Sequence, residues 1–213
     1  MNHWGLVMRV GVFGGTFDPI HIGHLVSAEE ARVELKLERV VFVPAGLPPH
    51  KLDHVMSPVG HRLAMVELAI ASNPHFAVSR VDIDRFGPCY TVDTIELLRD
   101  EWGPGVEIYF IMGSDSLLDI LTWHNPRRLI RLCRFAVVSR PGYQVDLDEL
   151  DTLLPGLASR VQILDAPELA ISSTDIQRRV REGLSIKYQV PEAVEDYIYQ
   201  HGLYHELTRS QLM

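Results

Sequence analysis

Apolar segments of strand length alternate along this chain with segments of helical periodicity. Residues 7–13 form an apolar run rich in valine, which predicts a strand buried on both faces of a parallel sheet. Residues 22–37 repeat their apolar positions with a helical period, and residues 39–43 predict a second short strand. Together these segments predict a βαβ unit, whose crossover is expected to be right-handed.

The same alternation continues toward the C-terminus. It predicts four further strands, at 76–83, 106–112, 135–139 and 161–164. It predicts helices at 59–72, 90–100, 115–121, 126–132 and 146–154, and a small C-terminal helical part at about 172–203 with helices at 172–182 and 191–200. We therefore expect a Rossmann-like, doubly wound α/β fold with a mostly parallel sheet and helices on both faces, formed by residues 1–213 as a single domain.

Two stretches are too rich in glycine, proline and polar residues to form regular structure. Residues 45–58 and 85–89 are therefore interpreted as functional loops. The tail from residue 204 to residue 213 is expected to be disordered. Residues 1–7 match no pattern, so Met8 stands beside Met1 as a candidate for the natural start.

Composition and charge narrow the class of protein. With 213 residues, 46% of them hydrophobic and 23% charged, the chain is long enough for a sizeable core. A net charge of −8 argues against a general nucleic-acid surface, because duplex binding needs many phosphate contacts from Lys and Arg. No apolar run reaches the roughly 18 residues that a membrane span needs. Two cysteines give no disulfide framework, which fits a reducing cytoplasm.

A glycine turn directly follows the first predicted strand. Gly14 and Gly15 can take positive φ and let a ligand approach the backbone amides closely. The helix that begins after them offers free N–H groups and a positive dipole end, which together attract phosphate. His21 and His24 are three residues apart, so they share one helix face and can donate hydrogen bonds to phosphate oxygens. A zinc site would need a third ligand at a recognisable spacing, which the sequence lacks.

These residues also carry a resemblance to a known family. The Gly-x-Phe-Asp-Pro turn followed by His-x-Gly-His resembles the signature of the nucleotidyltransferases related to class I aminoacyl-tRNA synthetases, whose members attack the α-phosphate of ATP. Further stretches are similar to the bacterial nicotinate mononucleotide adenylyltransferases, and they keep one order from Gly14 to about Arg178. They are PPHK at 48–51, YTVDT at 90–94, GSDSL at 113–117, Trp123, RPG at 140–142 and ISST at 171–174.

The resemblance implies an ATP site in which His21 and His24 are catalytic and stabilise charge at the α-phosphate. The other residues implied to contact ATP are Gly14, Gly15, Thr16, Phe17, Gly23, Gly113, Asp115, Ser172, Ser173, Thr174 and Arg178. Asp115 could equally be a helix N-cap. The family pattern has an arginine where this chain has Gln177, and Arg178, one position and about 100° further round the helix, is the favoured replacement over Arg179. Cys89 stands where relatives often have serine.

The resemblance also implies a site for the mononucleotide. The nicotinate ring is expected to stack on Trp123, which could otherwise be a core residue, and Thr91 could instead be a helix N-cap. His50 and Lys51 are implied to hold the mononucleotide phosphate, although PPHK could be merely a stiff solvated loop. Arg140 is either a second phosphate ligand or a surface cation. The remaining implied contacts are Asp18, Tyr90 and His124.

The function expected from this resemblance is adenylyl transfer from ATP to nicotinate mononucleotide, which gives deamido-NAD and pyrophosphate in NAD biosynthesis. Mg²⁺ is expected to arrive with the nucleotide, without a protein metal site. The alternatives are transfer to nicotinamide mononucleotide or phosphopantetheine, or a non-catalytic nucleotide-binding regulator; Trp123 favours a pyridine substrate. The sequence leaves open the preference for acid or amide and the choice between monomer and homodimer.

Overall fold

The computed structural model describes residues 7–48, 56–139, 142–167 and 169–205. Strands and helices alternate through most of this length. The strands are β1 (Met8–Gly15), β2 (Arg39–Pro44), β3 (Phe76–Val78), β4 (Val106–Gly113), β5 (Arg134–Val138) and β6 (Val161–Leu164). The helices are α1 (Ile22–Glu34), α2 (Val59–Ile70), α3 (Thr91–Trp102), α4 (Ser114–Leu118), α5 (Pro126–Leu132), α6 (Leu147–Leu153), α7 (Ser173–Arg181) and α8 (Glu192–Gln200).

The six strands form one sheet in the order β3-β2-β1-β4-β5-β6, and every pairing is parallel. This is the strand order of a Rossmann-like doubly wound sheet, so the predicted fold class is confirmed. The order reverses between β1 and β4, where Val12 pairs with Phe110. The carboxyl ends of these two strands, at Gly15 and Gly113, therefore flank the crevice in which such sheets bind ligands.

The core has two layers, one on each face of the sheet. Successive strand residues point to opposite faces, so Val12 and Phe110 belong to one layer while Phe13 and Ile111 belong to the other. The layer with Phe13 is covered by α1, α2, α7 and α8, and the layer with Val12 by α3, α4, α5 and α6. The C-terminal helices α7 and α8 thus share the core of the sheet.

Three elements differ from the sequence prediction. The strand predicted at 76–83 ends at Val78, because the chain turns at 81–83 and buries Asp82. The helix predicted at 115–121 divides into α4 and a short 3-10 helix, Ile120–Thr122. The tail predicted to be disordered from residue 204 does not include Tyr204, whose hydroxyl donates a hydrogen bond to Oδ1 of Asp18 at 2.7 Å. Residues 206–213 lie outside the described residues.

No helix within the described residues combines the length and the apolarity that crossing a lipid bilayer demands.

Candidate active site

A cleft of about 520 Å³ opens at the carboxyl ends of β1 and β4. It lies at the point of the sheet where the strand order reverses, as the switch-point rule predicts. The structure brings many of the predicted site residues to its walls. Those lining it are Gly14, Gly15, Thr16, His24, Tyr90, Thr91, Gly113, Trp123 and His124.

The two glycines are required by close packing rather than by positive φ. Neither Gly14 nor Gly15 has a positive φ, which differs from the expectation. A Cβ on Gly14 would lie 3.3 Å from the ring of Phe110, and one on Gly15 would lie 2.9 Å from the ring of Phe17. The residue with positive φ in this turn is Phe17, at 50°. Phe17 itself is buried, and its ring packs under the turn against Gly15.

The two histidines interlock at the start of α1. His21 is the N-cap and His24 is the third helical residue, and each side chain faces the backbone of the other in a capping box. The N–H of His21 donates to Nδ1 of His24 at 3.2 Å, and the two rings stack with centroids 3.6 Å apart. Because Nδ1 of His24 accepts a hydrogen bond, a neutral ring must carry its proton on Nε2. His24 lines the cleft, whereas His21 is 4% exposed and lies behind it.

Gly23 explains the spacing of the His-x-Gly-His motif. A Cβ at Gly23 would lie 3.1 Å from two atoms of the His21 ring. A side chain there would therefore force the His21 ring to shift by a few tenths of an ångström. Gly23 thus leaves room for the His21 ring, and it is not among the residues lining the cleft.

Asp18 is placed outside the cleft and has a structural set of partners. It is 5% exposed. Its Oδ2 accepts from the N–H of Ser57 at 3.0 Å, its Oδ1 accepts from the Tyr204 hydroxyl, and its carbonyl accepts from Nε2 of Gln177 at 2.6 Å. Both carboxylate oxygens of Asp18 are thus hydrogen-bonded within the protein, and its expected contact with the mononucleotide stays a prediction.

Arg62 is a buried cation that no sequence pattern indicated. It is 1% exposed and donates to the carbonyls of Thr16 at 2.8 Å, Ser57 at 3.1 Å and Gly46 at 3.3 Å. One guanidinium thus joins the glycine turn to both described ends of the loop after β2. Burial lowers the pKa of Arg62, and the nearby carboxylate of Asp18 acts in the opposite direction. A charged residue within an apolar stretch of helix was the signal that could have revealed it.

Asp82 is a second buried residue of the cleft that the sequence did not indicate. Its carboxylate accepts from the Thr94 hydroxyl at 2.8 Å and from Nε of Arg85 at 2.9 Å. Burial raises the pKa of Asp82, and the hydrogen bond from Thr94 partly offsets this. Cys89 is linked to the same turn, because its thiol donates to the Asp82 carbonyl and accepts from the N–H of Leu47, both at 3.3 Å.

Aromatic rings also line the cleft. Trp123 packs edge-on against Phe110 with ring centroids 5.9 Å apart. It therefore both contacts the core and lines the cleft. Tyr90 and His124 stack with centroids 4.3 Å apart. The N-cap of α3 is Tyr90 and Thr91 is the first helical residue, so the N-cap role considered for Thr91 is wrong.

The residues expected to contact ATP from α4 and α7 lie outside the cleft lining. Asp115 lies in the first turn of α4, whose N-cap is Gly113, so Asp115 is not the N-cap. Gly113 itself is the last residue of β4, and it does line the cleft. Ser172 caps α7 by accepting from the N–H of Asp175 at 3.1 Å, as predicted. The Ser173 hydroxyl donates to the carbonyl of Pro19 at 2.9 Å, which sets the start of α7, including Thr174, beside the start of α1.

Arg178, the favoured replacement for the missing arginine, is engaged elsewhere. Its guanidinium donates to Asp175 at 2.7 Å and also pairs with Glu182, and its side chain is 46% exposed. Arg179 donates to the carbonyl of Ser185 at 2.7 Å. The inward position is taken by Gln177, which holds the carbonyl of Asp18.

Three predicted site residues, His50, Lys51 and Arg140, lie outside the described residues.

Comparison with known proteins agrees with this architecture. A family model described as cytidylyltransferase-like matches residues 12–179. The probable nicotinate-nucleotide adenylyltransferase of Thermomicrobium roseum is 53% identical over 92% of this chain and 91% of its own length. That of Moorella thermoacetica is 52% identical over the same shares.

A solved structure supports the fold. The Plasmodium falciparum nicotinic acid mononucleotide adenylyltransferase complexed with NaAD superposes with a TM-score of 0.76 at 21% identity, over 92% of this chain and 97% of that one. At this identity the likeness concerns the fold. The family follows from the matched model and from relatives identical at half of their positions: the chain belongs to the cytidylyltransferase-like family, in its nicotinate-nucleotide adenylyltransferase branch.

Proposed function

We propose that this chain transfers the adenylyl group of ATP to nicotinate mononucleotide. A phosphate oxygen of the mononucleotide bonds to the α-phosphorus of ATP, and the bond from that phosphorus to the bridging oxygen breaks. Deamido-NAD forms, and pyrophosphate leaves with the bonding electrons. The observation that carries the proposal is a single cleft lined by both His24 and Trp123, and the names of the relatives support it.

The ATP phosphates are assigned to the turn between β1 and α1. The first N–H groups of α1 and its positive dipole end attract a polyphosphate. His24 lines the cleft, and we assign its Nε2–H to the phosphates, since its Nδ1 accepts from the N–H of His21. We assign His24 to the charge that develops at the α-phosphate, and His21 to holding the His24 ring in place through their stack.

The mononucleotide is assigned to the aromatic side of the cleft. Trp123 offers a flat surface for the pyridine ring, with the stacked pair of Tyr90 and His124 beside it. The Thr91 hydroxyl and the first N–H groups of α3 are donors suited to a carboxylate. His50, Lys51 and Arg140 are assigned to the mononucleotide phosphate on the resemblance alone.

The chemistry needs positioning and charge stabilisation rather than proton abstraction. The attacking phosphate oxygen is already ionised near neutral pH, so no general base is required. Holding the two substrates in line replaces a bimolecular encounter, and the donors around the α-phosphate stabilise its added charge. Arg178 is left out of this machinery because its guanidinium pairs with Asp175 and Glu182.

The residues of the cleft suit a Mg²⁺ that enters with ATP. Among the described residues, no three His, Cys, Asp or Glu side chains form a group that could hold a metal ion. Mg²⁺ in nucleotide sites keeps several waters and binds phosphates with one or two carboxylates, and Asp119 presents a carboxylate at the cleft wall. When bound, the ion would neutralise phosphate charge.

The test is a pyrophosphate-release assay with ATP and a panel of acceptors. Nicotinate mononucleotide, nicotinamide mononucleotide and phosphopantetheine are compared at equal concentrations. We expect release with nicotinate mononucleotide and formation of deamido-NAD in equal amount. Release only with phosphopantetheine would replace the proposed acceptor. ATP binding without release for any acceptor would instead indicate a nucleotide-binding regulator.

A further inference from the structure

A second and larger cleft lies at the opposite edge of the sheet. It has a volume of about 860 Å³, against about 520 Å³ for the candidate active site. Its walls come from the amino ends of β1, β4 and β5 and from the end of α3. No described residue lines both clefts: on β1 the second cleft reaches Arg9 and the first begins at Phe13, and on β4 they reach Ile108 and Phe110. They are therefore distinct sites.

This second cleft is strongly cationic. Six Lys and Arg side chains and two carboxylates line it. One carboxylate, Glu107, is shared by two of the arginines, Arg134 at 2.6 Å and Arg9 at 3.3 Å. The other, Glu38, lies 3.8 Å from Arg39, which is not part of the lining. The carboxylates therefore neutralise only part of the positive charge.

Four cations of the cleft have no carboxylate partner among the described residues: Lys36, Arg99, Arg131 and Arg160. Arg99 donates to the carbonyl of Leu132 at 2.8 Å, which holds its guanidinium at the cleft wall. The whole chain has a net charge of −8, so a cleft with a net positive charge differs from the average of the chain. Like charges gathered in one concavity repel each other, and a bound anion relieves that repulsion.

The floor of the cleft is apolar. It includes Val106, Ile108, Leu132 and Cys133. Burial raises the pKa of Cys133 to about 12, so its thiol is neutral at physiological pH. Arg160 and Arg99 act in the opposite direction on this thiol, which agrees with their placement beside the floor.

We propose that this second cleft binds a small phosphorylated molecule of nucleotide size. Guanidinium groups present planar forks that match phosphate oxygens, and Arg99, Arg131 and Arg160 supply three of them. The apolar floor suits the flat face of a base. The volume falls within the roughly 300 to 1,000 Å³ that is usual for small-molecule sites. This site is independent of the proposed adenylyl transfer.

The test uses the full chain labelled with nitrogen-15 and adenosine monophosphate as the probe. Backbone amide signals report binding residue by residue, so residues 105–108 and 131–134 report on the second cleft, and residues 14–24 report on the first. The site variant is Arg131→Glu with Arg160→Glu, or Gln at both positions if the charge reversal prevents folding. The control is Arg181→Glu, which reverses the charge of one exposed arginine outside the cleft and so makes half of that charge change.

We expect saturable shifts at 105–108 and 131–134 that weaken when salt is raised. The site variant should lower the affinity at these residues at least about tenfold, the scale of losing one charge-assisted hydrogen bond, while the control leaves it unchanged. Inorganic phosphate should bind the same residues more weakly than adenosine monophosphate. The proposal is overturned if shifts occur only at 14–24, if the site variant binds as the native chain does, or if phosphate binds as tightly as the nucleotide.

Discussion

Replacing Arg62 by methionine is expected to destabilise the fold and to loosen the candidate active site together. The guanidinium bonds three carbonyls, those of Thr16, Gly46 and Ser57, while its stem packs in α2. Methionine fills much of the stem's volume and leaves the three carbonyls without their donor. The cost of leaving a buried acceptor unsatisfied is about 1 to 3 kcal/mol.

The net loss of stability is smaller than the cost of three unsatisfied carbonyls, because removing a buried charge also removes its desolvation cost. That desolvation is the main cause that lowers the pKa of Arg62. Asp18, close enough to influence that pKa, loses its neighbouring positive charge in the variant. We expect the free energy of unfolding to fall by about 2 to 3 kcal/mol, which lies in the range for a buried acceptor left unsatisfied.

The assay is urea unfolding followed by tryptophan fluorescence. Arg80→Met is the matched control, since Arg80 is exposed and its ion pair with Asp84 lies at the surface, and it should change the free energy of unfolding by less than about 0.5 kcal/mol. The folded fraction of Arg62→Met should show a raised KM for ATP, because Thr16 lines the cleft. A loss under about 1 kcal/mol with an unchanged KM would refute this account of Arg62.

Three further outcomes are expected. His24→Ala should lower turnover by about tenfold to a thousandfold, the scale of losing one oriented donor, and should lower the free energy of unfolding by no more than about 1 kcal/mol. Normal turnover would remove His24 from the mechanism. Trp123→Ala should raise the KM for the mononucleotide far more than that for ATP, since stacking is worth about 1 to 3 kcal/mol; equal effects would indicate core packing alone. Because burial raises the pKa of Asp82, folding favours its protonated form, so stability should fall as pH rises above the usual value of 3.8, and Asp82→Asn should flatten that fall in urea titrations.

The sheet and its switch point could be predicted because they depend on local patterns. Apolar runs bounded by glycine and proline mark the strands, and each helix between them has its own period. The position of His24 followed from the same logic, since a helix that starts after a glycine turn must begin at the carboxyl end of β1. Strand β3 was predicted too long, because the tertiary burial of Asp82 by Thr94 and Arg85 ends it.

The residues that were misplaced or missed depend on contacts between distant parts of the chain. Asp18 was expected in the cleft, but Tyr204, at a separation of 186 residues, holds its carboxylate. Arg62 reaches back 46 residues to Thr16. The inward position of Gln177 depends on which face of α7 meets the carbonyl of Asp18. None of these pairings has a periodicity or spacing that a sequence pattern could express.

The central claim, that one cleft joins ATP to nicotinate mononucleotide, is tested most directly by a crystal structure of the chain with bound deamido-NAD. The account predicts that the product spans the cleft, with its pyridine ring on Trp123 and a phosphate oxygen within hydrogen-bond distance of Nε2 of His24. A product bound elsewhere, or bound there with His24 turned away from both phosphates, would contradict it.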